Sequence, residues 1–309
     1  MYIKYIKLHF HLVLIIHIFW LLTPTHSMGN EPLNIMVSIP PQKYFVKKIA
    51  HELANISVMV SPGFNPATYE PTPNQMKIAA TSRIYFAIGV PFENVWLKKL
   101  ASLNPKMQII HTDEAITKRQ LHRWRLDRTA NLHEIPVNNE KSFPKKEALD
   151  PHVWLSPPLV KSQVKIIADA LIKIDPQNKK VYEINLDMFQ SELDQLDLQL
   201  REIFKKDYPR REILVLHPCW GYFADTYGLK QIAVENEGNE PGATRMVKLI
   251  NHAKLQKIKY LFVQPQFSKK TAHIIAKEIG AQILIADPLK EAWEENLKNV
   301  AAKFSKALK

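Results

Sequence analysis

The chain has 309 residues, 46% of them hydrophobic, a net charge of +12 and a single cysteine. That length can bury two modest cores, and one cysteine excludes an internal disulfide, so packing alone must hold the fold. Eight glycines leave little for phosphate-cradling loops, and the chain has neither a Gly-x-Ser-x-Gly elbow nor a His-Glu-x-x-His element, which argues against nucleotide and hydrolase chemistry.

In chain order, Lys4 and Lys7 precede an apolar stretch, Leu8 to Leu22, and Thr25-His26-Ser27 follows where a leader would be cut. The pattern predicts a secretory signal over residues 1–27 and a chain that works outside the cytoplasm, in a periplasm. The stretch is short for a membrane span and no second one follows, although an uncleaved anchor is the alternative. No cysteine stands just after it, which argues against a lipid anchor there. Losing Lys4 and Lys7 with the leader takes the net charge from +12 to +10. The remaining lysines spread over helix-like segments, so solvated faces, rather than a nucleic-acid partner, account for them. The exception is Lys118 to Arg128, which holds Arg119, Arg123, Arg125 and Arg128.

Short apolar runs then alternate with helix-like segments, the signature of an α/β fold. Ile35–Ile39 and Ile56–Val60 read as strands, with a helix from Pro41 between them. Thr72-Pro73-Asn74-Gln75 reads as a capped helix start, with a capping box closed by Gln75. Ile84–Ile88 and Met107–Ile110 are the next strands. Residues 112–149 are polar, charged and aperiodic, and predict a long exposed loop. After Asp175-Pro176, apolar residues from Tyr182 to Ile203 recur at spacings of four and three. That stripe predicts one long helix of six turns, about 32 Å. Ile213–Leu216, Gln231–Val234, Tyr260–Val263 and Ile283–Ala286 are further strands, with a helix from Ser268, its cap, to Ile279. The plan is thus two similar α/β halves joined by one long helix. The expected boundaries are 28–176 for the first lobe, 177–207 for the linking helix and 208–309 for the second lobe.

Two segments stand out. Asp150-Pro151-His152-Val153-Trp154 and His217-Pro218-Cys219-Trp220-Gly221 each set a histidine beside proline and tryptophan where apolar sequence breaks. Together with Asp287, these histidines suggest a metal site assembled from distant parts of the chain. His217 and Asp287 each follow a strand, and ligands of open α/β sheets bind at the carboxyl ends of strands. His51, His111, His252 and His273 lack such a setting and read as ordinary histidines. Glu70, just before the capped helix, reads as holding that turn.

These segments, with Pro62–Pro73, Ile88–Glu93, Val263–Ser268 and Asp287-Pro288-Leu289, resemble the zinc-binding solute-binding proteins of ABC importers, in the same order over nearly the whole mature chain. The resemblance implies two α/β lobes joined by a rigid helix with the metal between them. It implies His152, His217 and Asp287 as metal ligands, a divalent ion as cargo (Zn²⁺ first, Mn²⁺ second), a monomer, an inner-membrane permease as partner and no enzymatic activity. The chain departs from the pattern at Ala67, where the family carries a further histidine ligand. Water, His122 or His133 from the loop, or the Cys219 thiolate could fill that place, or the site is lost. The loop departs too, carrying arginines where many relatives carry histidine and acidic residues. A degenerate relative acting in adhesion and, last, a zinc hydrolase are the other readings, since three ligands and an open position also describe catalytic zinc.

Overall fold

The computed structural model describes residues 31–121, 148–235, 241–267 and 269–309. The expected leader, the expected cap Ser268, and His122, His133, Arg123, Arg125 and Arg128 lie outside the described residues. Leu33 to Lys309 forms one compact unit.

Two four-stranded, all-parallel sheets carry the fold. The first joins β1 (Leu33–Val37), β2 (Ala54–Val58), β3 (Ile84–Ala87) and β4 (Gln108–His111) in the order β2-β1-β3-β4. The second repeats that order as β6-β5-β7-β8, with β5 (Glu212–Val215), β6 (Lys230–Ala233), β7 (Tyr260–Val263) and β8 (Gln282–Ile285). The central strands are apolar because helices cover both faces, as parallel sheets require. Each observed strand lies within two residues of its sequence expectation.

In the first lobe, helix α1 (Pro40–Ala50) follows β1, α2 (Pro73–Thr81) precedes β3 and α3 (Glu93–Leu103) follows it. The start of α2 forms as the sequence predicts: Thr72 caps, Pro73 opens the helix, and Gln75 N donates to Thr72 Oγ1 at 3.3 Å. Tyr69 holds the turn before it, its hydroxyl donating to Gln75 Oε1 at 2.8 Å, while Glu70 is exposed. Gly89, with φ of +83°, ends β3 where a Cβ would run into Lys118 and Asp113. Such a conformation suits glycine.

Two antiparallel-packed helices form the spine, α4 (Pro157–Ile174) and the long α5 (Lys179–Phe204). The break between them is held by Asp175, whose carboxylate accepts from Asn178 Nδ2 and Tyr182 Oη, both at 2.7 Å. Tyr182, Phe189, Leu193, Leu196, Leu200 and Phe204 are buried along α5. They belong to one continuous apolar core that runs from the first sheet into the second lobe. The second lobe adds α6 (Gly221–Thr226), α7 (Ala243–Leu255), α8 (Lys269–Ile279) and α9 (Trp293–Ala307).

Helix α9 gives the lobes a contact beyond the linking helix. Trp293 packs edge-on against Phe45 of α1 at 5.1 Å, and Tyr44 of α1 donates to Glu294 at 3.1 Å. Among the described residues no helix is long and apolar enough to cross a membrane.

Candidate metal centre

A cavity of about 160 Å³ opens between the lobes at the carboxyl ends of the strands. The first lobe contributes Pro66, Ala67, Val90, Pro91, Leu121 and the Pro151–Trp154 region; the second contributes His217, Gln266, Phe267, Pro288 and Leu289. Its walls are mostly apolar, and the two imidazoles stand on them.

His152 and His217 come together here, ring centres 5.4 Å apart and edge-on. His152 is buried at the start of a short 3₁₀ turn, Val153–Leu155, beside Trp154. Its Nδ1 lies 2.7 Å from Asp150 Oδ1, which also accepts the His152 backbone N–H at 3.0 Å. His217 follows β5. Its Nδ1 lies 2.9 Å from Glu235 Oε2, and its ring stacks on Phe267 at 4.3 Å. Gln264 pins its backbone from both sides, accepting from His217 N at 3.2 Å and donating to His217 O at 3.3 Å.

The chemistry follows from those bonds. A carboxylate on Nδ1 holds the proton there, so Nε2 keeps its lone pair and the ring keeps its orientation. Burial drives the pKa of His217 below the ordinary histidine value, the Glu235 hydrogen bond partly offsets this, and nearby His152 lowers it further. A neutral imidazole is the form that ligates a metal.

Asp287 stands apart from the pair. Its Oδ1 accepts from Gln266 Nε2 at 2.8 Å and from Leu289 N at 2.9 Å, and its neighbours Pro288 and Leu289, not Asp287 itself, line the cavity. Among the described residues no three His, Cys, Asp or Glu side chains gather into a metal-holding group. Cys219 is fully buried and off the cavity wall; burial pushes its thiol pKa well up, and Gln264 Nε2 reaches its sulfur at 3.4 Å. A thiol kept protonated in this way is a small apolar side chain rather than a ligand. Ala67 sits on the cavity wall, in a turn where Asn65 Oδ1 accepts its backbone N–H at 2.8 Å.

The described base of the long loop is tied to the second lobe. Residues Gln120 and Leu149 form an isolated antiparallel bridge. Arg119 N donates to Tyr222 Oη at 2.9 Å, Tyr222 Oη donates to Asp150 O at 3.0 Å, and the Arg119 guanidinium lies 2.9 Å from Asp225. Gly221 is needed there because a Cβ would meet Arg119 and Asp150.

Sequence reasoning singled out neither Asp150 nor Glu235 as a partner of a histidine. Asp150 was within reach, two residues before His152. Glu235 directly follows the apolar run of β6, the strand beside β5, and that shared strand end was its only signal.

Comparison with known proteins adds to this geometry. The family model for ZnuA, described as zinc-uptake complex component A, periplasmic, matches residues 35–307. The high-affinity zinc uptake system protein ZnuA of Bacillus subtilis is 28% identical over 271 residues, 87% of this chain and 82% of that protein. The zinc-binding lipoprotein AdcA of Streptococcus pneumoniae is 27% identical over 302 residues, covering 92% of this chain; the chain spans 56% of AdcA. A crystal structure of a ZnuA deletion mutant with zinc bound is 39% identical, with a TM-score of 0.79 over 90% of this chain and 98% of that one. The chain belongs to the ZnuA family, the periplasmic metal-binding component A of zinc-uptake complexes.

Proposed function

We propose that this protein captures Zn²⁺ between its lobes, outside the cytoplasm, and delivers it to the membrane permease of an ABC importer. His152 and His217 supply the first two ligands through Nε2. Asp287 supplies the third when its carboxylate exchanges the Gln266 amide for the metal. The observation that carries this reading is the pair of imidazoles, one from each lobe, each with Nδ1 held by a carboxylate and both lining one cavity. Carboxylate–histidine–metal arrangements orient the ring and raise its basicity toward the ion. The zinc named in the relatives' descriptions supports the choice of cargo. The protein acts by binding and release as a monomer, with no covalent step. Two imidazoles and one carboxylate select zinc less strongly than an all-nitrogen set, so Mn²⁺ is the competitor to test.

The test is calorimetric zinc titration of the metal-stripped protein, repeated with Mn²⁺ and with His152→Ala, His217→Ala and Asp287→Ala. One-to-one zinc binding, abolished in either histidine variant and weakened in Asp287→Ala, is the expected result. Absence of binding for both metals would overturn the reading.

A further inference from the structure

The second sheet sends its side chains into two different cores. Ile213, Val215 and Phe262 join the core shared with the first lobe, whereas their strand neighbours Leu214, Leu216 and Leu261 enter a separate one. Successive strand residues point to opposite faces. Leu249 and Ala253 of α7 and Ala272 and Ile275 of α8 close the separate core. The two helices therefore lie side by side on the outer face of the second lobe, where Lys254 and Glu278 stand 3.8 Å apart.

The far side of these helices meets solvent, and its charge is one-sided. From residue 243 to 282 the chain carries eight lysines and arginines and one acid, Glu278. Lys248, Lys254, Lys257, Lys259 and Lys277 are all exposed. On the spine, by contrast, lysines stand beside carboxylates: Lys161 meets Asp194, Lys165 meets Asp169 and Lys179 meets Glu183. The outer face has no such supply of acids, so its positive field is not cancelled locally. In sequence these lysines are spread over two helices and a turn; the fold gathers them on one side.

Three apolar side chains stand among them, Val247 at 57% exposure, Ile274 at 56% and Leu255 at 77%. By helical spacing Val247, Lys248, Lys254 and Leu255 share one face of α7, and Ile274 and Lys277 one face of α8. A soluble polyanion has no use for exposed leucine and isoleucine. A lipid surface has: ammonium groups reach the headgroups while their stems and the apolar side chains settle among them. None of these residues lines the metal cavity, so a molecule docked by this face keeps the cavity mouth clear.

We propose that the α7–α8 face of the second lobe docks the protein on an anionic phospholipid bilayer. In the extracytoplasmic setting proposed for it, docking holds the carrier at the membrane that bears its permease. The docking itself needs no metal and does not depend on zinc capture.

The test is co-sedimentation with vesicles of mixed phosphatidylglycerol and phosphatidylcholine, and with vesicles of phosphatidylcholine alone. The mature chain, residues 28–309, is used, because the apolar stretch Leu8 to Leu22 would bind lipid on its own account. The expected result is binding to the mixed vesicles that weakens as salt rises, and little binding to phosphatidylcholine. Lys248→Gln/Lys277→Gln should weaken it about 25-fold, at roughly fivefold for each lysine near an anionic surface. Lys165→Gln/Lys173→Gln removes the same charge from α4 and should change it little. Leu255→Ser should weaken binding without altering its salt dependence. Equal weakening in the two double variants would overturn the face, because whole-chain charge would then account for the attraction. Equal binding to both kinds of vesicle, or none to the mixed ones, would overturn the docking. Retention on heparin without binding to mixed vesicles would overturn the lipid surface in favour of a soluble polyanion.

Discussion

The imidazoles of His152 and His217 stand 5.4 Å apart between ring centres, and each gives its Nδ1 to a carboxylate from its own lobe, Asp150 and Glu235. The two half-sites are therefore built alike although their sequences differ. If both rings ligate through Nε2, weakening either carboxylate should weaken the metal. Asp150→Asn and Glu235→Gln keep the size and an acceptor oxygen but remove the charge. Each is expected to lower zinc affinity about 10–100-fold, as such outer partners typically do. Calorimetry against a competing chelator measures it. Unchanged affinity in both variants would mean that the histidines do not ligate through Nε2.

The acid side of metal binding should lie lower than histidine chemistry alone suggests. Burial, the largest effect, lowers the pKa of His217, and the Glu235 hydrogen bond raises it in part. A lowered histidine pKa means that the neutral, ligating form persists as pH falls below 6.5, and protons compete for the ring only beneath that. The imidazole proton shifts of metal-free His217, followed by NMR from pH 8 to 4, should give a midpoint below 6.5. In Glu235→Gln the midpoint should move lower still, although zinc binds more weakly. A wild-type midpoint at or above 6.5 would show that Glu235, not burial, dominates.

The sheets were legible because each strand is a short apolar run cut by turn residues, and the long helix because its stripe repeats over six turns. Helix α4 was not read, although Pro157 at its start and Val160, Val164, Ile167, Ala168 and Leu171 on its buried face carry the helical signature. The proline-rich motif before it has the composition of a loop and masks the helix start. Two contacts that make the site were out of reach. Glu235 is 18 residues from His217 and meets it only because β5 and β6 pair in register. The Asp287 carboxylate turns to Gln266, which no spacing announces. Periodicity reports which face is buried; it does not report which polar atoms on neighbouring loops meet.

The same limit applies to α9, whose first residue joins the lobes. Trp293 Nε1 donates to Trp154 O, and Trp154 Nε1 donates to Pro288 O, both at 2.8 Å. Trp154 and Pro288 line the cavity, whereas Trp293 does not. Trp293→Phe keeps an aromatic ring against Phe45 but leaves the buried Trp154 carbonyl without that donor. A loss of about 1–3 kcal/mol is expected from the carbonyl, with a further contribution from the smaller ring. Urea unfolding should show a lower midpoint at an unchanged slope. Zinc affinity should also fall, because the wall beside His152 loses its brace. Wild-type stability in this variant would mean that the tryptophan pair does not join the lobes.

A buried acid in the first lobe should leave its mark on stability. Glu93, at the start of α3, accepts from Ser38 Oγ at 2.5 Å, Ile88 N at 3.0 Å and Gly89 N at 2.8 Å. Burial raises its pKa above the usual 4.5, and those three hydrogen bonds offset part of the rise. A carboxyl whose pKa is raised on folding favours the folded state most when it is protonated. Its contribution is complete below the unfolded value and is lost as pH rises through the folded value. Wild-type unfolding free energy should therefore carry a downward component from pH 4.5 upward, superimposed on the other titrations. Glu93→Gln cannot ionise and keeps only one of the two oxygens that Ile88 N and Gly89 N use, a loss that does not vary with pH. The difference in stability between wild type and variant should move in the variant's favour as pH rises through that window, and level off above it. A difference that stays constant with pH would show that Glu93 keeps an ordinary pKa and that its three hydrogen bonds offset its burial in full.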